Sequence, residues 1–229
     1  MRYEYLCRGH TEKSLNFYRK TVRFNPRLLA FTMMKETISN LPPIVQSSFY
    51  KWAEFLHQNV VFNMPDSYFH GSLHCARVLL YALIMGERLF KEDTQALSIL
   101  AHAAVFHDSR RQDEWADTGH GARAAAYYAR FCQDAAHEST RLPYLPEAAC
   151  LMQFHDLHDK VGKAYIREHF AAETDRVLLL YDIFKDADAL DRLRFGELGL
   201  KQSYLRTSEA VSLIGFAREL TSLSDSMEA

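Results

Sequence analysis

No two of the four cysteines, Cys7, Cys75, Cys132 and Cys150, stand at CxxC spacing. That speaks against a disulfide framework, and the thiols read as free groups of a reducing cytosol. Long apolar runs are missing too. The longest, such as residues 78–85, reach at most half of the ~20 residues that a membrane-spanning helix needs. The opening residues Met1-Arg-Tyr-Glu-Tyr lack the apolar core of a signal peptide. The expectation is a cytoplasmic protein with no membrane partner. An excess of charge is also absent: 27 Lys and Arg face 29 Asp and Glu, for a net −2. This disfavours nucleic acid as a partner gripped through overall charge and leaves only a local basic patch open. No convincing apolar–polar alternation, internal repeat or dividing linker is visible.

What the chain does have is core-forming material in segments of helical length. Of its 229 residues 48% are hydrophobic and 13% aromatic, enough for one sizeable domain. Asn25-Pro26 reads as a helix start, broken at Asn40-Leu41-Pro42-Pro43. A second helix is expected over about 44–58, with Val45, Phe49, Trp52, Phe55 and Leu56 on one side. After a loop, Ser72 is a plausible N-cap for a helix to about 89. Asp93-Thr94 caps the next, which ends at His107-Asp108. Further helices are expected over about 119–133, 147–155, 173–194 and 208–220, with 156–172 as a loop holding a short helix and a frayed tail after 221. The fold class is all-α, about seven to nine helices in one bundle. Residues 1–60 form a helical extension packed on the core or serving as a dimer surface, and a homo-oligomer is compatible with it. Residues 61–229 form the domain proper.

The chemistry concentrates at His107-Asp108. This imidazole and carboxylate close the mostly apolar run 97–106, and desolvating both is costly unless something pairs with them. A divalent metal is the natural partner, with two further ligands from elsewhere: His74 upstream and Asp188 downstream. Alone, His74 reads more readily as a hydrogen-bonded core histidine, and Asp188 as half of a solvated i,i+4 ion pair with Arg192. Against that, Asp188 falls in line with Val177, Leu180, Tyr181 and Phe184, so it points inward. Asp182 and Asp186 fall off that stripe and are expected to be exposed.

Taken together, His74 on one helix, His107-Asp108 ending a second and Asp188 on a later one resemble the HD metal-dependent phosphohydrolase superfamily. The local contexts are similar as well: His74-Cys75-Ala76-Arg77-Val78 to an H-x-x-R-V motif, the apolar approach 103–106 to the run into HD, and Asp186-Ala187-Asp188-Ala189-Leu190-Asp191 to the D-A-D-x-L-D form of one bacterial branch. The resemblance covers about residues 70–195. It implies a helical domain holding Mn, Fe, Co, Ni or Zn through His74, His107, Asp108 and Asp188. The reaction it implies is hydrolysis of a phosphoester or phosphoanhydride, with metal-activated water as nucleophile and Asp108 in the catalytic centre. A small phosphorylated molecule, best a nucleotide, is the implied substrate. Some members bind two ions through extra histidines, and His120 and His155 stand at suitable places; each reads otherwise as a polar helix-end residue. His70 is a further rim candidate, while His102 and His158 read as structural or surface residues. Arg77, Arg110 and Arg111 are candidates for holding phosphate oxygens, with surface ion pairs as the plainer reading. Where some nucleotide-hydrolysing members carry Glu three residues after the HD aspartate, this chain has Arg111. Asp113 is then the nearest general acid or base. A cyclic-nucleotide or nucleic-acid phosphodiesterase and a non-enzymatic metal-stabilised signalling module remain alternatives.

Overall fold

The computed structural model describes residues 37–67, 69–91, 93–134 and 141–225. Most of the helix expected from Asn25-Pro26 lies outside them. Among the described residues every regular element is helical and no strand occurs. The helices are α1 (Pro43–Asn59), α2 (Ser72–Phe90), α3 (Thr94–Phe106), α4 (His120–Gln133), α5 (Pro146–Phe154), α6 (Asp159–His169), α7 (Thr174–Leu190), α8 (Ser208–Ser212) and α9 (Ile214–Asp225). Single 3-10 turns fill Ala171–Glu173, Asp191–Phe195 and Gln202–Tyr204.

The bundle is built around α2. Every residue from His74 to Gly86 is buried, because this helix is apolar on nearly all sides and α1, α3 and α7 cover it. Fully burying Leu79, Leu80 and Leu83 contributes roughly 1.5–3 kcal/mol each, so packing rather than helix propensity holds it. No described helix is long and apolar enough to cross a membrane. The stripe Val45, Phe49, Trp52, Ala53 and Leu56 of α1 enters the same core as α2 and α3. Residues 43–59 therefore share the interior of the domain.

Several boundaries differ from the sequence expectation. The N-cap of α2 is Gly71; the hydroxyl that orders this turn is that of Ser67, which accepts the His70 N–H at 2.8 Å. The stretch expected as a loop holding a short helix contains the eleven-residue α6, with His158 as its cap. Only Gly162 and Ile166 of α6 are buried, which leaves little apolar periodicity to read. The long helix tightens to 3-10 winding at Asp191. The last one breaks at Leu213 and then continues to Asp225, with Thr221 buried and its hydroxyl bonded to the Ala217 carbonyl at 2.8 Å.

The largest correction concerns Asp186, which is fully buried rather than exposed. Residues 196–207 return across its face of α7. Its carboxylate accepts the backbone N–H of Arg206 at 2.9 Å, the N–H and hydroxyl of Thr207 at 2.8 Å each, and an Arg206 guanidinium nitrogen at 3.0 Å. Burial pushes its pKa up despite those donors. Asp182 is partly covered as well, in an ion pair with Lys163 at 2.7 Å.

Candidate metal centre

Helix ends converge on one point. α2 brings His74 in its first turn, α3 ends in His107-Asp108, α4 starts at His120, α5 ends at His155 and α7 carries Asp188 near its last turn. The last carbonyls of a helix lack intrahelical donors, and two histidines exploit that. His107 Nδ1 donates to the Ala104 carbonyl at 2.8 Å, and His155 Nδ1 to the Met152 carbonyl at 2.7 Å. His120 Nδ1 donates to the Asp117 carbonyl at 2.8 Å, and His74 Nδ1 to the Asp191 carboxylate at 2.7 Å.

Each of these acceptors takes a proton from Nδ1, so Nε2 is the nitrogen turned inward, with a lone pair wherever the imidazole is neutral. Those nitrogens face one another. His74 Nε2 is 3.1 Å from His107 Nε2, and His120 Nε2 is 2.9 Å from His155 Nε2. Asp108 stands between the pairs. Its Oδ2 lies 3.0 Å from His70 Nδ1 and 3.4 Å from His74 Nε2, and its Oδ1 lies 3.1 Å from His120 Nε2 and 3.6 Å from His155 Nε2. Asp188 Oδ1 completes the first group, 3.4 Å from His74 Nε2. Imidazole nitrogens this close to one another and to carboxylates are satisfied by a shared proton or by a cation between them. These groups could hold a metal ion, and His74, His107 and Asp188 present one ligand atom each within 4.8 Å of one another.

The titration behaviour has the same origin. Burial presses Asp108 toward neutrality, but His107, His120, His155 and His70 prevail and hold its pKa well below the carboxylate range. Asp188 is held low against burial by His74. Burial pushes His107 down to about 3. For His74, burial and Arg194 press downward, yet hydrogen bonds to Asp108, Asp188 and Asp191 raise it to about 9.

Asp191, completely buried behind His74, accepts Arg77 Nε at 2.6 Å and Arg77 Nη2 at 2.9 Å, and Arg194 Nη1 lies at 3.4 Å. Arg77 is therefore buried and bonded to Asp191, behind His74 and away from the cavity lining. Arg110 also points elsewhere: it donates to the Val61 carbonyl at 2.6 Å and stacks 3.3 Å above the Tyr127 ring. Arg111 does face the centre, 3.3 Å from the His120 ring and 3.9 Å from Asp108.

Asp113 is exposed and turned back onto its own loop, accepting the Trp115 N–H at 2.7 Å. Glu114 beside it lines the site instead, with Oε2 buried, without a hydrogen-bond partner, and 4.0 Å from His70 Nε2. His102 bonds the Tyr128 hydroxyl at 2.8 Å and packs on Trp52, away from the centre.

Beside the cluster opens a cavity of about 820 Å³, lined by Asp108, Asp188, His120 and His155. Its cations are Arg111, Lys185, Arg192, Arg194, Lys201 and Arg206. Five of them follow α7's Phe184 within 22 residues. Gly121 lets α4 approach α5. A side chain there would meet the Met152 carbonyl oxygen, Asp156 Oδ1 at 2.8 Å and His155 Nδ1 at 2.9 Å. Gly121→Val is expected to part these helices, lower stability by roughly 1–3 kcal/mol and separate His120 from His155. A urea melt checks this, and an unchanged midpoint would contradict the close approach. No family model, curated protein or solved structure matches the chain.

Proposed function

We propose that this protein is a metal-dependent phosphohydrolase of the HD superfamily, acting on a small phosphorylated molecule and best on a nucleotide. The observation that carries the proposal is the set of opposed imidazole nitrogens converging on Asp108 beside a cation-lined cavity. The motif residues His74, His107-Asp108 and Asp188 support the family reading. His74, His107, Asp108 and Asp188 would hold one ion, and His120 and His155 with the shared Asp108 a second. The nitrogen and oxygen donor set suits Mn, Fe, Co, Ni or Zn. When bound, such a cation supplies Lewis acidity, lowering the pKa of water and neutralising charge on the phosphoryl group.

The chain's own residues do the rest. Asp191 keeps the His74 proton on Nδ1, so that Nε2 faces inward. Arg111 steadies negative charge beside Asp108. Glu114 takes the general acid or base role that the sequence assigned to Asp113, since its free oxygen borders the cavity. Glu114→Gln is expected to lower kcat by roughly 10²-fold or more while metal content stays at the wild-type level. An unchanged rate would remove Glu114 from the chemistry.

The His120–His155 pair favours a second reading, a two-metal phosphodiesterase. One experiment addresses both. Protein loaded separately with Mn, Ni, Co and Zn is analysed for metal content and screened against phosphomonoesters, nucleotides, cyclic dinucleotides and single-stranded nucleic acid. Turnover of monoesters or nucleotides supports the first reading. Turnover of diesters alone, with two ions bound, supports the second. Metal binding without any turnover rejects both in favour of a metal-stabilised module.

A further inference from the structure

The cavity has an inner and an outer set of cations. Four are committed inside the protein. Arg111 bonds the Trp115 carbonyl and contacts His120, and Arg194 lies on Asp191. Lys185 donates to the carbonyls of His155 at 2.7 Å and Leu157 at 2.8 Å, and Arg206 pairs with Asp159 at 2.7 Å and Asp186 at 3.0 Å. Arg192 and Lys201 differ. Arg192 donates Nε to the Gly199 carbonyl at 3.0 Å, lies 5.8 Å from the Phe195 ring centroid, and forms no ion pair among the described residues. Lys201 Nζ rests 5.5 Å above the Tyr204 ring, likewise without a carboxylate among the described residues. Both are exposed and both line the cavity.

Arg192 stands four residues past Asp188, about one turn along the chain. It lines the same cavity as Asp188, and neither Nη is hydrogen-bonded among the described residues. Two apolar side chains share this rim. Trp115 is 85% exposed and Leu198 95% exposed, and they come from separate loops onto the same cavity. Leaving a large aromatic side chain in water forgoes its burial energy. A flat ligand group laid against it would recover that energy.

We propose that Arg192, Lys201, Trp115 and Leu198 form a subsite for the part of the substrate remote from the reacting phosphate, and that the substrate is a nucleotide bearing a second phosphate group. The base lies against Trp115 and Leu198, and the second phosphate is held by Arg192 and Lys201. A single reacting phosphate would leave these two cations without a counter-charge. This inference rests on the phosphohydrolase reading for the identity of the inner site, but its test does not need turnover.

The chain has two tryptophans, and Trp52 is buried while Trp115 is exposed, so quenching of tryptophan fluorescence by a ligand reports the rim. In metal-free protein, adenosine 3′,5′-bisphosphate or adenosine diphosphate should quench that signal and bind roughly tenfold more tightly than adenosine monophosphate. Arg192→Ala and Lys201→Ala should each erase that difference, and Trp115→Leu should remove the quench. In metal-loaded protein the same two charge variants should raise KM for the second-phosphate substrate relative to the monophosphate. Equal affinity for all three nucleotides, or unaltered discrimination in both variants, overturns the subsite. Discrimination without hydrolysis of any phosphate compound would leave the subsite standing and sink the hydrolase reading. Hydrolysis without discrimination would do the reverse.

Discussion

Asp108→Ala is expected to leave the protein helical, strip it of metal and abolish hydrolysis. The carboxylate is the shared member of both imidazole pairs, with one oxygen turned to His70 and His74 and the other to His120 and His155. Supporting residues around metal ligands typically cost 10–100-fold in affinity when removed, and a bridging ligand should cost more than roughly the upper end of that range. The fold should survive, because Asp108 borders a cavity that water can fill and the imidazoles can be neutral. Asp108→Asn separates charge from shape, since it keeps the volume and removes the anion. Elemental analysis with far-UV circular dichroism decides. Wild-type metal content in both variants would mean that the ion sits elsewhere.

Asp191→Ala is expected to act on stability first and on the site second. The carboxylate is wholly buried and faces two guanidiniums, Arg77 and Arg194, whose side chains are themselves almost fully buried. Breaking such a network by removing one partner leaves uncompensated charge in the interior, a loss of about 3–5 kcal/mol. Of typical domain stabilities of roughly 5–15 kcal/mol, that is a large share. His74 would also lose the acceptor that fixes its Nδ1 proton, so the residual folded protein should bind metal less tightly. Asp191→Asn, which keeps one acceptor oxygen, should be milder on both counts. Urea titration followed by metal titration below the transition measures the two effects in turn. A midpoint within a few tenths of a kcal/mol of the parent would show that the arginines find other partners.

The two effects separate what the sequence could say from what it could not. Asp188 was readable because Leu180, Tyr181 and Phe184 define an inward stripe, and the structure brings it to His74 across more than a hundred residues. Arg77 was placed on the His74 face correctly, but helical spacing does not tell which neighbour meets that face; here it is Asp191 rather than open cavity. Asp186 shows the same limit. It lies off the apolar stripe of its own helix, and what covers it is a segment returning from 20 residues later. Between Asp113 and Glu114 there was no period to use, since both sit in an irregular charged connection where one residue's turn decides which carboxylate faces inward. The rim cations were equally hidden, because a basic loop reads as solvated until its partner wall is known.

The burial of α2 has a consequence for how the molecule opens. Its hydrogen-bonded amides from Cys75 to Gly86 sit in a helix covered on all sides, so their protons should exchange with deuterium only when the whole domain unfolds. The first ligand of the proposed centre is thus mounted on the slowest-exchanging part of the chain. Residues 196–205 form only short turns with no buried side chain among them and should exchange by small local openings, whereas the Arg206 and Thr207 amides are held by buried Asp186. Ligands could then enter and leave through the outer wall while the imidazoles beneath keep their positions.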